Sequence, residues 1–183
     1  LGVLPGTVTS MMKTLSASEL VSYQPYEGVK LTPSGNALAL RVLRRHRLIE
    51  LFLVRTLELS WGEVHEEAEN MEHAVSDLLV DRIEAFLGYP DFDPHGDPIP
   101  KADGTVLVST GASLDAVKAG AAVKVVRVLD QSSGFLKELT EKGVEIGTTL
   151  EVLSVEANQL RLSVGTNPGF NLPIDLARLI LVK

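Results

Sequence analysis

The sequence lacks cysteine altogether, which excludes disulfide bonds, zinc-finger chemistry and any metal site built on thiolates. It also has no apolar run long enough to cross a bilayer, and no signal-peptide pattern. These absences fit any soluble compartment. The simplest expectation is a cytoplasmic protein with no membrane partner.

Positive charge is scarce as well. The chain carries 17 Lys and Arg against 24 Asp and Glu, which gives a formal net charge of −7. An acidic chain is not a generic nucleic-acid binder, because its overall field repels phosphate. Any DNA binding must therefore come from a local surface, with help from bound cations.

Apolar residues, by contrast, are plentiful: they make up 45% of the 183 residues, which argues against disorder. A chain of this length can form one large or two small domains with real cores. The first residues, LGVLPGTVTSMM, contain no initiator Met and begin within what reads as a folded motif. We therefore expect a further segment upstream.

The N-terminal stretch has the pattern of a DNA-binding unit. A helix is predicted from Pro5 to Ser16, because proline is tolerated at the first helical position. Its inward positions at helical spacing are Val8, Met11, Met12 and Leu15. Its outward positions, which are candidate DNA contacts, are Thr7, Thr9, Ser10 and Lys13. Two short strands follow, Leu20 to Tyr23 and Val29 to Leu31, with Pro25 in the turn. A helix followed by a hairpin is typical of the second half of a winged helix-turn-helix, whereas the helix alone also fits an ordinary amphipathic helix.

A long helix is predicted next. Thr32 can cap it, Pro33 can open it, and its wide apolar face continues to about Leu57. His46 and Glu50 stand four residues apart within it, so their side chains project from the same side. An imidazole and a carboxylate at this spacing form a candidate pair of metal ligands.

The stretch WGEVHEEAENMEHAVSD, from Trp61 to Asp77, is predicted as one helix with two faces. The apolar face comprises Val64, Ala68, Met71, Val75, Leu78 and Leu79. The second face comprises His65, Glu69, Glu72, His73 and Ser76. Imidazole and carboxylate together suit the harder first-row divalent metals. The alternative is a solvated acidic face, but the His/carboxylate pair on the preceding helix favours a metal site.

A further helix, Ala74 to Leu87, continues that segment or follows it after a small bend. Its apolar face and the one around Leu48 to Leu53 exceed what one small core needs, which predicts a homodimer interface. The Pro- and Gly-rich loop that follows marks a domain boundary, which we expect few contacts to cross. In that loop His95 lies near Asp93 and Asp97, and ordering of the loop is favoured over a metal role.

From Ser113 onward the composition changes to short β-type runs with glycine turns. The predicted strands are Ala122 to Leu129, Thr149 to Val155, Gln159 to Val164 and Ile180 to Val182. A short helix is predicted from Gly134 to Lys142. This pattern predicts a small barrel of the SH3-like type. The region contains no His and no Gly-rich phosphate loop after a strand, so it offers no catalytic constellation.

Four segments together resemble one family. LPGTVTSMMKTL, LTPSGNALALRVLRRHRLIELFL, VHEEAENMEHAVSD and DPHGDPIP, in this order, resemble the iron-dependent repressors, the diphtheria-toxin-repressor-like metalloregulators. The similarity covers nearly the whole chain. It implies a mainly α fold with a small β module. The implied domains are an N-terminally incomplete winged helix-turn-helix (1–40), a helical dimerisation and metal-binding domain (41–104) and an SH3-like, FeoA-type barrel (113–183).

The resemblance also implies two metal sites per chain. The ancillary site would use His46, Glu50 and His65, and the regulatory site would use Glu69, Glu72 and His73. Family members usually take one more regulatory ligand from an N-terminal helix that this sequence does not contain. Some iron-type members have Cys where Glu69 stands here, which favours the manganese-responsive branch with Mn²⁺ or Fe²⁺ as the ion. In some relatives the SH3-like domain also reaches the ancillary site, and Asp130 and Gln131 stay unassigned.

The resulting hypothesis is a metal-dependent, DNA-binding transcriptional repressor that controls manganese or iron homeostasis. It would act as a homodimer on a double-stranded DNA operator, and we assign no catalytic residue. One alternative is a dinuclear-metal hydrolase in which His and Glu ligands activate water. Against it, the ligands lie on packed helices and no separate acid, base or oxyanion group is evident. The other alternative is a winged-helix DNA-binding protein whose His/Glu set is only a structural network.

Overall fold

The computed structural model describes residues 4–24 and 28–183 of the chain. Within these ranges the helices are α1 (Pro5–Ala17), α2 (Pro33–Leu57), α3 (Val64–Glu72), α4 (Asp77–Phe86), α5 (Ser133–Glu141) and α6 (Ile174–Ala177). The strands are β1 (Val21–Gln24), β2 (Gly28–Leu31), β3 (Ala112–Ser113), β4 (Ala122–Val128), β5 (Thr149–Val155), β6 (Gln159–Val164), β7 (Phe170–Pro173) and β8 (Ile180–Val182), and a 3₁₀ turn spans Leu114–Ala116. None of the helices in the described ranges has the length and apolarity that a bilayer span requires.

The N-terminal unit consists of α1 and an antiparallel hairpin. Strands β1 and β2 pair from Val21 opposite Leu31 to Gln24 opposite Gly28, while the predicted turn residue Pro25 lies outside the described residues. Four apolar side chains of α1 were predicted to point inward. Met12 and Leu15 are partly buried, but Val8 and Met11 are 36% and 46% exposed, so for those two the prediction was wrong.

The longest element, α2, begins and ends at the residues that its sequence indicates. The Thr32 hydroxyl accepts a hydrogen bond from the Gly35 N–H at 3.0 Å and so caps the first turn. Glu58 ends the helix in the left-handed conformation, with φ 56°. Gly35 also packs against the N-terminal unit, because a Cβ there would lie 1.8 Å from the Leu20 carbonyl oxygen. The helix therefore ties that unit to the rest of the chain.

The predicted helix from Trp61 to Asp77 is in fact two helices. α3 ends at Glu72, and α4 starts after Ser76, whose hydroxyl accepts a hydrogen bond from the Leu79 N–H at 3.3 Å. A serine that caps a new helix satisfies backbone donors that a continuous helix would have satisfied itself. This local competition explains the break, which helical periodicity could not show.

The break also decides which apolar side chains face solvent. Val64 and Ala68 are fully buried, whereas Leu78, Leu79 and Phe86 are 69%, 48% and 70% exposed. The prediction that Leu78 and Leu79 share a core-facing stripe with Val64 and Ala68 was therefore wrong, whereas Val75 does pack against the core. Phe86 was not part of that stripe. The exposed side chains form an apolar face on α4.

The helical core accounts for the other apolar segment that was predicted at an interface. Leu48, Leu51 and Leu53 are buried within the chain and pack into cores shared with α3 and α4. These three side chains are thus used mainly within the chain, whereas Phe52 between them is only partly buried. The share of this segment in a dimer interface remains a prediction, and α4 is the other predicted segment, which keeps exposed apolar side chains.

The C-terminal part forms a six-stranded antiparallel sheet in the order β3-β8-β4-β5-β6-β7. The predicted strands from Thr149, Gln159 and Ile180 coincide with β5, β6 and β8. Strands β3 and β7, at the two edges of the sheet, were not predicted, because they are only two and four residues long. α5 packs on the core with Leu136 and Leu139, which are almost fully buried.

The boundary before this sheet is closely packed, contrary to expectation. Trp61 belongs to the C-terminal core, and its Nε1 donates to the Thr140 hydroxyl at 2.8 Å. The Val128 N–H donates to the His95 carbonyl at 3.0 Å. Gly96, with φ 83°, lies so close to β4 that a Cβ would stand 2.1 Å from the Val126 carbonyl oxygen. This loop, residues 93–100, is thus buried between the helical and sheet regions, and we call it the seam.

Candidate metal centre

The predicted pair on α2 meets at hydrogen-bonding distance. His46 Nε2 lies 3.0 Å from Glu50 Oε1, which is the contact that i, i+4 spacing favours. Glu50 is only 1% exposed, and its carboxylate lies among His46 of α2, His65 of α3 and His95 of the loop after α4. A carboxylate at this depth requires hydrogen-bonded or charged partners.

The first residue of α3's polar face completes a three-residue cluster. His65 Nδ1 lies 3.2 Å from His46 Nε2 and 3.3 Å from Glu50 Oε1. The ligand atoms of His46, Glu50 and His65 all lie within 4.8 Å of one another. Two imidazoles and a carboxylate at this spacing can hold a divalent first-row metal. We call these three residues the outer cluster, because the His65 side chain is 51% exposed.

His46 also connects this cluster to Glu72 at the end of α3. Its Nδ1 lies 3.0 Å from Glu72 Oε2, so each nitrogen of the ring faces a carboxylate. Burial of the imidazole lowers the pKa of His46, but hydrogen bonds and charges of Glu50 and Glu72 outweigh it and raise that pKa. Burial likewise works against ionisation of Glu50, yet its pKa is lowered, chiefly by His46. The two shifts have the signs expected when a protonated imidazole and a carboxylate stabilise each other.

The predicted regulatory residues are less closely assembled. His73 Nε2 lies 3.4 Å from Glu72 Oε1, while Glu69 Oε1 lies 3.7 Å from His65 Nε2 rather than beside Glu72. The side chains of Glu69 and His73 are 63% and 83% exposed. The structure therefore brings the predicted ancillary residues together, and the regulatory grouping remains a prediction.

An apolar groove of about 670 Å³ runs from the N-terminal unit to these side chains. Its walls include Leu15, Leu20 and Leu38, and its far end carries Glu69 and Glu72. The groove places the carboxylates at the junction between α1, β1 and α2. A cation bound there would touch both the N-terminal unit and the helical core.

The structure adds a second cluster that the sequence analysis did not assign. Glu50, Asp93 and His95 also have ligand atoms within 4.8 Å of one another, and all three residues are buried. We call them the inner cluster. The motif DPHGD was the available signal, but nothing in it shows that this loop folds back onto α2.

Two atoms of the inner cluster lack hydrogen-bond partners within the part of the chain that the structure describes. His95 Nε2 lies 2.7 Å from the Trp61 carbonyl, which can only accept, so the proton of the neutral ring is on Nε2. His95 Nδ1 and Asp93 Oδ2 are then buried acceptors without a donor. Burial and the charge of Asp97 raise the pKa of Asp93 to about 6. A cation would satisfy both acceptors, and the nitrogen and oxygen donors suit a small divalent ion.

Asp97 joins the inner cluster to the sheet. Its Oδ2 accepts hydrogen bonds from Arg47 at 3.1 Å and Gln131 at 3.0 Å, and Arg127 forms an ion pair with Oδ1. Gln131, left unassigned by the sequence, therefore belongs to the seam. Asp130 instead accepts the Ser132 N–H at 2.8 Å.

The candidate DNA contacts lie on α1, which precedes the residues of both clusters in the sequence. All four are exposed: Thr7, Thr9, Ser10 and Lys13. Hydroxyl and ammonium groups on one helix surface can contact phosphates and base edges.

Comparisons with known proteins agree with this arrangement. The model of the "Iron dependent repressor, metal binding and dimerisation domain" matches residues 32–101, and that of the "FeoA domain" matches residues 112–183. The iron-dependent repressor IdeR of Mycobacterium leprae is 34% identical over 176 residues, spanning 92% of this chain and 73% of that protein.

Solved structures are similar over almost the full chain. A manganese-dependent transcriptional repressor in complex with manganese superposes with a TM-score of 0.86 at 39% identity, covering 99% of this chain and 85% of that one. ScaR with bound Cd²⁺ gives a TM-score of 0.79 at 36% identity, covering 99% and 85%. Because each covers 99% of this chain, the similarity includes both the helical part and the sheet domain.

Proposed function

We propose a role for each metal site, starting from the family of the chain. This chain belongs to the iron-dependent repressor family, and so is a metal-dependent transcriptional repressor that uses manganese or iron. One observation carries the proposal: His46, Glu50 and His65 converge from two helices, and His46 also holds Glu72. The C-terminal domain is SH3-like and of the FeoA type. The outer cluster is the ancillary site, and Glu69, Glu72 and His73 belong to the regulatory site.

The carboxylates explain why a cation changes the protein. A bound divalent ion supplies positive charge where Glu50, Glu69 and Glu72 otherwise repel one another. When His46 Nε2 serves as a ligand, Nδ1 retains its proton and continues to donate to Glu72. His46 thereby fixes the position of Glu72 while the ancillary site is filled. The two sites are linked through this one ring.

The DNA-binding part of the proposal concerns residues 1–40. α1 is the recognition helix of a winged helix-turn-helix and the hairpin of β1 and β2 is its wing, with Thr7, Thr9, Ser10 and Lys13 against the DNA. Residues 41–104 form the dimerisation and metal-binding domain, and 113–183 form the SH3-like domain. Because α2 is continuous from Pro33 to Leu57, a shift at His46 is transmitted to the N-terminal unit.

The partner molecules follow from the same geometry. A homodimer through the apolar face of α4 places two recognition helices against double-stranded DNA, about one helical turn apart or a multiple of it. The ion binds the DNA-competent state better than the other and so shifts the population toward it. By linkage, operator DNA raises the affinity for the ion by the same factor.

The test is metal content together with operator binding, measured on the full-length protein under anaerobic conditions. We expect Mn²⁺ or Fe²⁺ to be required for retention of an operator fragment in fluorescence anisotropy. Glu72→Ala should abolish metal-dependent binding, whereas His46→Ala should lower the metal stoichiometry and leave part of the response. Glu67→Ala, an exposed carboxylate on the same helix, is the matched control and should behave as wild type.

Two outcomes would contradict the proposal. Equal effects of His46→Ala and Glu72→Ala would mean that the division into ancillary and regulatory sites does not hold. Operator binding that is unchanged by chelation would support a metal-independent DNA-binding protein. A phosphodiesterase assay with manganese should show no turnover, because we assign the His and Glu residues to regulation and none to catalysis.

A further inference from the structure

Glu72, the last residue of α3, is held by two consecutive residues of α2. His46 Nδ1 lies 3.0 Å from its carboxylate, and a terminal nitrogen of Arg45 donates to its carbonyl oxygen at 3.0 Å. Only 13% of the Glu72 side chain is exposed, so both contacts form at a largely buried residue. The main chain and the side chain of this candidate metal ligand are therefore fixed from the same helix.

The other terminal nitrogen of Arg45 reaches the next helix. It donates to the carboxylate of Asp77, which is the first residue of α4. The Arg45 side chain is only 19% exposed, and a guanidinium is planar with its terminal nitrogens at a fixed spacing. One rigid group thus spans the break between α3 and α4.

The positive charge of Arg45 suits both helix ends. The Glu72 carbonyl lies at the carboxyl end of α3, where the helix dipole is negative, and Asp77 lies at the amino end of α4, where it is positive. Beyond Glu72 the chain turns, and the Ala74 N–H donates to the Met71 carbonyl at 2.9 Å. The Glu72 carbonyl at the end of the helix takes Arg45 as its donor.

These contacts contribute more to geometry than to stability. The Asp77 side chain is 64% exposed, and an ion pair with an exposed carboxylate adds little to the free energy of unfolding. α4 is also held on α2 independently of Arg45, because Arg44 pairs with Glu84 at 2.8 Å and Val80 packs in the core. Without Arg45, α4 would therefore stay folded on α2, while the turn between α3 and α4 would lose its fixed spacing.

We propose that Arg45 is a positioning residue of the regulatory site and links the ion of that site to α4. The inference rests on the proposed function, in which Glu72 binds the regulatory ion. An ion that moves the Glu72 side chain also moves the peptide behind it, and the guanidinium passes that displacement to Asp77. The exposed side chains of Leu78 and Leu79 follow directly, so occupancy of the site sets the position of the apolar face of α4.

The first experiment titrates operator binding of the full-length protein with Mn²⁺ under anaerobic conditions. Arg45→Gln should raise the Mn²⁺ concentration at half-maximal binding by at least about fivefold, because the hydrogen bond that orients Glu72 is lost. Asp77→Ala, which removes only the α4 half of the link, should cause a smaller increase. Arg41→Gln is the matched control and should cause none, because Arg41 faces the same carboxylate at 3.8 Å with a side chain that is 65% exposed.

The second experiment measures amide hydrogen exchange with and without Mn²⁺. The N–H groups of Leu79 and Val80 report on the start of α4, since they donate to the hydroxyl and the carbonyl of Ser76, at 3.3 and 3.1 Å. In wild type, Mn²⁺ should slow their exchange by at least about fivefold. In Arg45→Gln and Arg45→Lys, Mn²⁺ should slow exchange at the end of α3 only, because lysine keeps the charge but lacks the rigid fork.

Thermal unfolding separates positioning from a general structural role. Arg45→Gln should unfold within about 2–4 °C of wild type, because the ion pair with Asp77 is largely exposed. A much larger loss of stability, together with the loss of Mn²⁺-induced protection, would mean that Arg45 acts through the fold and would overturn the inference.

The remaining outcomes distinguish the inference from the proposed function. If Arg45→Gln matches Arg41→Gln in both experiments, Arg45 does not position the site, while the proposed function still stands on the Mn²⁺ dependence of the wild type. Full rescue by Arg45→Lys would show that charge alone suffices, and the rigid link would be wrong. If the wild type binds the operator equally well without Mn²⁺, the proposed function itself fails.

Discussion

At the scale of single residues, the metal centre depends on side chains that contact two other candidate ligands at the same time. His46 contacts Glu50 through one nitrogen and Glu72 through the other, so a substitution there alters both sites. Glu69 differs, because its side chain is 63% exposed and contacts only His65 among the residues of the outer cluster. We therefore propose that Glu69 acts on the chemistry of the ion rather than on packing.

Glu69→Cys should change which metal activates the repressor. A site of hard oxygen and imidazole donors suits manganese(II), which binds weakest in the divalent series, whereas a thiolate favours softer ions. We expect manganese(II) to activate the wild type at least as well as iron(II), and zinc(II) to bind tightly but activate poorly. The variant should respond less to manganese and more to iron, cobalt or zinc.

The measurement is anaerobic operator binding of both proteins titrated with each metal, with Glu67→Cys as a control on the same helix. A wild type that responds to iron or zinc but not to manganese would show that Glu69 does not set selectivity.

Gly35→Ala should destabilise the junction of the N-terminal unit. The new Cβ would meet the Leu20 carbonyl oxygen at 1.8 Å, so backbone must move, at a cost of about 1–3 kcal/mol. Gly134→Ala is the control, since it is also helical and meets nothing within 4 Å. It should stabilise by about 0.5–1 kcal/mol through helix propensity. Urea denaturation with manganese present measures both, and equal effects would mean that α2 does not press on Leu20.

At the scale of elements, the loop between α4 and the sheet does more than connect. Residues 93–100 are mostly buried, and Trp61 reaches from the turn before α3 into the core under α5. The helical and sheet regions are therefore joined by packing, hydrogen bonds and the Asp97 ion pairs. A substitution in this loop should therefore affect both the helical region and the sheet region.

Gly96→Ala should loosen this seam. Its φ of 83° disfavours an L side chain by roughly 1–2 kcal/mol, and the Cβ would also lie 2.1 Å from the Val126 carbonyl oxygen. Gly104→Ala is the matched control, because its φ of 85° is the same but its nearest neighbour is Leu40 Cδ1 at 3.8 Å. We expect Gly96→Ala alone to split thermal unfolding into two calorimetric transitions. A single transition in both variants would show that the seam does not couple the two regions.

At the scale of the whole molecule, contacts within one chain do not explain why the apolar face of α4 is exposed. Leu78, Leu79 and Phe86 stand on a short helix whose opposite face is already packed against α2 through Val80 and Ile83. Phe86 touches Phe52, with ring centroids 6.1 Å apart, and so extends the face toward α2. Exposed apolar surface of this kind is typical of a contact between subunits.

Phe86→Glu should weaken the homodimer. A carboxylate in a desolvated interface lacks a partner, so we expect the dissociation constant to rise by at least about tenfold, which corresponds to ~1.4 kcal/mol. Leu153→Glu, at an apolar position of β5 that is 42% exposed, is the control and should leave the dimer unchanged. Sedimentation velocity with manganese present measures both. A dimer unaffected by Phe86→Glu would place the interface elsewhere.

The sequence by itself determined much of the local structure and the His46–Glu50 pair of the outer cluster, whereas His65 was joined to that pair only by the family resemblance. Caps and periodicity bounded α2, and i, i+4 spacing brought His46 to Glu50, because such contacts are set within one turn of backbone. The strands from Thr149, Gln159 and Ile180 followed from composition in the same way. The motifs were also sufficient to identify the family.

Only the tertiary structure decided the inner cluster, the seam and the exposure of the apolar face of α4. Glu50 and His95 are far apart in the chain, and nothing local indicates that the loop turns back to bury an imidazole nitrogen 3.8 Å from a carboxylate. Packing also decided the place of the apolar side chains of α4: Val80 and Ile83 pack against α2, which leaves Leu78 on the surface rather than in the predicted core. Periodicity reports which residues share a face, whereas burial depends on what folds against that face.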